Sequence, residues 1–293
     1  MPEKTNPEVR ANPLLSVLRQ PKIYIRLPSQ GKYWKEGSLN VSVNGEYPVY
    51  SMTARDELLL KTPDALLNGE GVSQVIKNCV PNILDPWECP QLDLDTILIA
   101  IRLATYGELM SISVKHPSIK DEQEFDYEIN IRELLDQRQS GTTWEDRLEV
   151  RSDLVVYLKP LTYRTQTNAQ IGEFETQRIM RIVQSTELSE EEKVKAFQQA
   201  FMDLTKKTIS IIGKAVYKIE STAGIVEDPE FIDEFISQCD ADIFEKIKKR
   251  LGILNESNKL QPMLIRSTPD MIEAGAPDTI EVPFTFDQSN FFG

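Results

Sequence analysis

The chain is poor in the residues that most enzymes depend on. Its 293 residues include one histidine, His116, and three cysteines, Cys79, Cys89 and Cys239. A Ser-His-Asp or Cys-His arrangement would have to be built around His116. No G-x-S-x-G turn or comparable nucleophile setting accompanies it. His116 precedes Pro117 at the end of a strand-like run, where an exposed imidazole with ordinary acidity is expected. One histidine and three scattered cysteines without a C-x-x-C pair do not make a zinc-ligand set. Reduced thiols are expected, with Cys79 and Cys239 filling core space. The sequence has neither a Walker A nor a G-x-G-x-x-G loop for phosphates, and no D-x-D-x-D-G register for calcium. Carboxylates abound, but runs such as SEEEK and KDEQE belong to solvated caps and turns. No catalytic, cofactor-binding or metal-binding residue is therefore expected, and no cofactor. No run of about 18 apolar residues exists, so no membrane-inserting helix is expected, and the N-terminus lacks the apolar stretch of a secretory leader.

What the chain does have is negative charge. Thirty-three Lys and Arg against 46 Asp and Glu leave a formal charge of −13. That balance disfavours a surface built to neutralise phosphates, and equally one that binds anionic membranes. It steers the protein toward basic partners.

The pattern along the chain predicts an α+β protein. Small N-terminal strands and hairpins would pack on helices, followed by a helical block and a C-terminal strand pair. Residues 1–20, with three prolines, read as a loose arm. An α+β body is expected over 21–160. Within it PKIYIRLPSQGKYW begins as a strand and ends in a turn, and LNVSVNGEYPVY reads as two strands joined at Asn44-Gly45. Thr53 with Asp56 resembles a capping box for ARDELLLK, whose Leu58, Leu59 and Leu60 are expected to point inward. Segment VSQVIKNCV has helical spacing, and LDTILIAIRLATYG is apolar enough for a buried helix ended at Tyr106-Gly107. MSISVKH and EFDYEINI alternate as a hairpin, RELLDQ reads as a short helix, and DLVVYLKP as a strand. Residues 161–255 carry three-to-four-residue periodicity throughout and are predicted to be a helical domain. Residues 256–293 hold two strands and an aromatic tail.

That tail, FTFDQSNFFG, places Phe284, Phe286, Phe291 and Phe292 within ten residues. They complete a sheet or tuck into the core, or they dock on a partner, since apolar anchors concentrate interface energy. Arg102 is a charge inside an apolar helix. It either snorkels or pairs with a carboxylate such as Asp56 or Asp95 to fix the helix.

The ordered segments IRLPSQGKYW, MTARDELLLKTPDALLNGEGVSQVIKNCV and LDLDTILIAIRLATYG resemble the T-even-type bacteriophage baseplate protein family. The likeness continues through SISVKHPSIKDEQEFDYEINI, LVVYLKPLTY and FTFDQSNFF, and in the middle helices it is one of layout more than of motif. The family includes hub subunits and hub or tape-measure assembly factors. The resemblance implies a non-enzymatic tail protein found in the virion, or in the host cytoplasm during assembly. Its partners would be baseplate hub, tail tube or tape-measure proteins, with several copies in a symmetric assembly. Residues expected to act structurally are Pro28 and Gly31 in the turn, Thr53 as cap, Arg102 within the helix, and Tyr106 and Gly107 at its end. Phe284, Phe286, Phe291 and Phe292 are the expected partner anchors. Where relatives carry a CPxC-like pair at the hairpin, this chain reads His116-Pro117-Ser118-Ile119, so a zinc ribbon is lost and packing must hold the hairpin. A second reading, a nucleic-acid-binding adaptor descended from a zinc-ribbon protein, is disfavoured by the acidic charge and the missing cysteines.

Overall fold

A computed structural model describes residues 14, 20–62, 65, 68–114, 125–140, 143–183 and 189–282. Those residues form an α+β protein around two hydrophobic cores.

The first core is organised by one buried helix. Strands β1 (Ile23–Arg26) and β2 (Glu46–Val49) pair antiparallel, with Ile25 opposite Tyr47. Helices α1 (Ala54–Leu60) and α2 (Glu70–Cys79) follow, then α3 (Gln91–Tyr106). Ten of α3's residues are buried, on every side of the helix, as expected of a segment apolar all round. Strands β3 (Leu109–Val114) and β4 (Phe125–Asn130) form the predicted hairpin, and Met110 and Ile129 pin it into this core. Helix α4 (Ile131–Ser140) closes the layer.

The second core lies under a four-stranded antiparallel sheet in the order β5 (Arg147–Arg151), β6 (Leu154–Leu158), β7 (Val216–Ser221), β8 (Gly224–Val226). Between β6 and β7 the chain leaves as α5 (Tyr163–Val183) and returns as α6 (Glu190–Ala215). Ser189 and Glu192 cap α6 reciprocally. Helices α7 (Pro229–Gln238) and α8 (Ala241–Ser257) cover the sheet through Ile232, Ile236, Ile243, Ile247 and Leu251. The chain then goes back: β9 (Met263–Arg266), α9 (Pro269–Glu273) and β10 (Thr279–Val282) place Ile265, Met271 and Ile280 in the first core.

Four sequence expectations change. The 161–255 block is not wholly helical, because Val216–Ser221 and Gly224–Val226 are strands. Val216 and Ile219 find a ladder partner in β6, and that pairing overrides the helical spacing of the preceding residues. DLVVYLKP, expected within the N-terminal body, supplies Leu154, Val156 and Leu158 to the second core. The Asn44-Gly45 turn forms, with Gly45 at φ 72° and Asn44 Oδ1 accepting from Glu46 N–H at 3.1 Å, but it does not join two strands. Val41 and Val43 are exposed and unladdered, and β2 pairs with β1 instead. Of the three leucines in α1, Leu60 is buried whereas Leu58 faces out.

Gly69 shows how tightly the first core packs against the start of α5. It precedes α2 at φ 77°, and a Cβ there would lie 2.8 Å from Tyr163 Oη and 3.1 Å from Thr167 Cγ2. Gly45 has a similar φ but open space around it. Gly45→Ala should cost about 1–2 kcal/mol from left-handed strain alone. Gly69→Ala should cost distinctly more, and urea denaturation of the two variants side by side checks the difference.

Candidate functional site

The sequence motifs that carry the family resemblance converge on one buried carboxylate. Asp93 sits in the first turn of α3, behind Pro90, and is completely buried. Its Oδ1 accepts from Ser29 N–H at 2.7 Å, and its Oδ2 accepts from the Ser29 hydroxyl and from Trp34 Nε1–H at 2.8 Å. Ser29 Oγ accepts in turn from Gly31 N–H at 3.1 Å. The LPSQGKYW turn is thereby fastened to the LDLD helix start, where the helix dipole favours a negative charge. Desolvation still dominates, and it pushes the Asp93 pKa up to about 6 against the three donated hydrogen bonds and the nearby Arg138.

Between its two anchors the turn is strained. Gln30 and Tyr33 adopt φ 56° and φ 67°, and Gly31 adopts φ 82°. Left-handed backbone at a tyrosine is costly and persists only where its surroundings enforce it. Here Ser29 and Trp34 are held on either side. The result is that the Tyr33 ring meets Tyr217 of β7 edge-on, with centroids 6.2 Å apart. Tyr217 also stands edge-on to Tyr157 at 6.2 Å and donates its hydroxyl to Asp146 at 2.8 Å. Burial, with Asp146 beside it, pushes the Tyr33 phenol up to about 12. A turn belonging to the first core is thus joined to the sheet of the second.

Arg138 of α4 makes the other tie. Its guanidinium is nearly buried, donates to Leu92 O at 2.9 Å and to Asn258 O at the end of α8, and lies 3.8 Å from Asp95. Burial raises the Asp95 pKa to about 6, opposed by Arg138. Within the first core, Tyr163 at the start of α5 is stacked on Trp87 at 5.2 Å and donates its hydroxyl to Gly69 O at 3.1 Å.

The residues anticipated from sequence occupy this framework unevenly. Pro28 and Gly31 lie in the fastened turn. Thr53 forms the capping box with Asp56, whose Oδ1 also accepts from Asn78 Nδ2 at 2.6 Å and so ties α1 to α2. Gly107, at φ 88°, ends α3. Half-buried Arg102 lies over the Tyr106 ring, 5.0 Å from its centroid, and desolvation lowers its pKa. Asp95, one of the carboxylates offered to Arg102, is met by Arg138. Cys79 and Cys89 are fully buried, whereas Cys239 is only half-buried at the end of α7. His116, Phe284, Phe286, Phe291 and Phe292 lie outside the described residues. Sequence reasoning missed Asp93, Trp34, Tyr33 and Arg138 as a set. The signal was available in the pairing of LPSQGKYW with LDLD, a small polar and an aromatic donor facing an acid.

Among the described residues, no group of three or more His, Cys, Asp or Glu side chains could hold a metal ion, and no helix is long and apolar enough to cross a membrane. The T4 bacteriophage base plate protein family matches residues 21–256, and the chain belongs to that family. No curated protein and no solved structure matches it. The matched span runs across both cores and contains the Ser29–Trp34–Asp93 cluster, the Tyr33–Tyr217 contact and Arg138, though not its acceptor Asn258. Family membership makes the chain a structural protein of a phage tail baseplate.

Two outcomes test the buried charges. Arg138→Ala should destabilise by about 3 kcal/mol, because it strands the Leu92 and Asn258 carbonyls and leaves Asp95 without its cation. For Asp95 the folded pKa is raised, so between about pH 4 and 6 the folded state binds more protons than the unfolded one. Its contribution to stability therefore increases as pH falls through 6 and is lost as pH rises. Relative to Asp95→Asn, the wild-type chain should gain about 1 kcal/mol on going from pH 7 to pH 5, read from paired urea curves.

Proposed function

We propose that this protein serves the central hub of the baseplate as a non-enzymatic component, a hub subunit or an assembly factor for hub and tape-measure proteins. It would act entirely through protein contacts. One observation carries this reading: the residues on which the family resemblance was read are spent on holding the molecule together. Ser29, Trp34 and Asp93 bond to one another inside the protein, and the Tyr33 ring they present contacts Tyr217 of the same chain. A motif used in that way defines a rigid body whose outer faces are left for partners. The acidic surface agrees with recognition of basic segments on hub, tube or tape-measure chains. Phe284, Phe286, Phe291 and Phe292 are proposed as one set of anchors, and several copies are proposed to act in a symmetric assembly.

Peptide mass spectrometry of purified virions and of tail-assembly intermediates tests the role. Presence in both indicates a hub subunit, and presence in intermediates alone indicates an assembly factor. Absence from both would overturn the proposal. A chain lacking residues 284–293 should stay soluble and fold with an unchanged urea midpoint, yet fail to co-purify with a tail protein that the full chain retains. Retained binding would remove the anchor assignment.

A further inference from the structure

The bare apolar surface of the second core lies around the end of α7. Helix α6 is covered by the core along its last turns, where Ile212 and Ala215 are buried. One face of it emerges uncovered further back, at Val194, Phe197 and Phe201, the last 59% exposed. These three recur at spacings of three and four, so they form one stripe. The stripe leads into a hollow of about 530 Å³ between α6 and α8, lined by Phe201, Leu204, Ile236, Cys239 and Phe244. Cys239 also borders a second hollow, of about 470 Å³, on the far side of α7, where Phe231 stands 62% exposed beside Phe235 and Ile243. Apolar exposure of this kind is uncommon on a face that meets only water.

Charge identifies what would cover it. Between Lys218 and Lys246 the chain carries nine carboxylates and no basic residue. Glu230, Asp233, Glu234 and Asp240 are exposed, and Glu234 and Asp240 border the second hollow directly, with Arg151 the one base in its wall. Glu245 borders the first, with Lys248 the one base in its wall. A second copy of the chain would bring the same acidic rim against itself, and an acidic helix would be repelled.

We propose that this surface is a docking groove for an amphipathic helix of another protein, one with apolar residues at three-to-four spacing and flanking Lys or Arg. The inference rests on the protein-contact reading above and narrows it to a surface and a partner chemistry. The apolar edge of the helix would lie along Val194, Phe197 and Phe201 and enter the hollow, with its basic flanks toward α7 and Asp240.

The test uses the full chain and two peptides of about 20 residues, each with Leu at heptad a and d positions and either Lys or Glu elsewhere. Binding is measured by fluorescence anisotropy for the wild type, for Phe201→Ser, for Phe231→Ser and for the double variant. None of these alters charge. Both side chains are exposed, and each single variant stands on its own if the double variant fails to fold. The Lys peptide should bind the wild type about tenfold more tightly than the Glu peptide, and the double variant should lose about tenfold. Equal binding by wild type and variants would mean attraction by net charge alone and would overturn the groove. So would equal affinity for both peptides, or concentration-dependent self-association in sedimentation that the double variant abolishes. If the chain still enters tail intermediates while the Lys peptide ignores the groove, only this inference falls and the hub reading stands.

Discussion

Asp93 is the point from which the rest of the molecule takes its geometry. A carboxylate removed from water is costly unless donors satisfy it, and here the donors come from a turn some sixty residues earlier. That dependence works in both directions. The acid requires Ser29 and Trp34, and the strained backbone between them requires the acid. Because the turn cannot relax without exposing a buried charge, Tyr33 is held against the sheet of the second core. Arg138 repeats the arrangement at smaller scale by bonding carbonyls at the start of α3 and the end of α8. Two cores that touch through such ties are expected to behave as one body, not as two hinged ones.

Much of this was legible in the residues and some was not. Helix ends announced themselves, since Thr53 and Gly107 occupy the terminal positions that their chemistry favours. The β3–β4 hairpin was equally plain from its alternation. The β7 strand was hidden because it follows a long helix without a break and declares itself only through β6, more than fifty residues away in sequence. Pairing over that distance leaves no local trace. The site was half-legible. Its two motifs stood out, but that one donates to the other became visible only when the turn and the helix start were placed together. Arg102 drew attention as a charge in an apolar helix, whereas Arg138, in a polar segment, did not, although it is the more deeply buried of the two.

The two ends of the second core differ in character. Toward the first core its surface is closed by tyrosines and hydrogen bonds, with Tyr157 donating to Glu220 at 2.9 Å and Lys218 Nζ 3.8 Å above the Tyr157 ring. Around α7 it is open, apolar and acidic. Rigid attachment on one side and an accessible surface on the other is the arrangement that a part fixed within a larger assembly requires, because contacts formed on the open side are transmitted to a body that does not yield.

The excursion of α5 and α6 has one more consequence. It leaves from β6 and re-enters at β7, neighbouring strands in which Leu158 lies opposite Val216 and Lys159 N–H bonds to Ala215 O at 2.7 Å. The two feet of this helical arm therefore stand one strand spacing apart, and its outer turns contribute nothing to the ladder between them. Insertions or deletions of whole turns in both helices would change the reach of the arm, by about 5.4 Å for each turn, and leave the sheet intact. The fold thus contains an adjustable projection on a fixed base, so related chains could differ in span without any change in their cores.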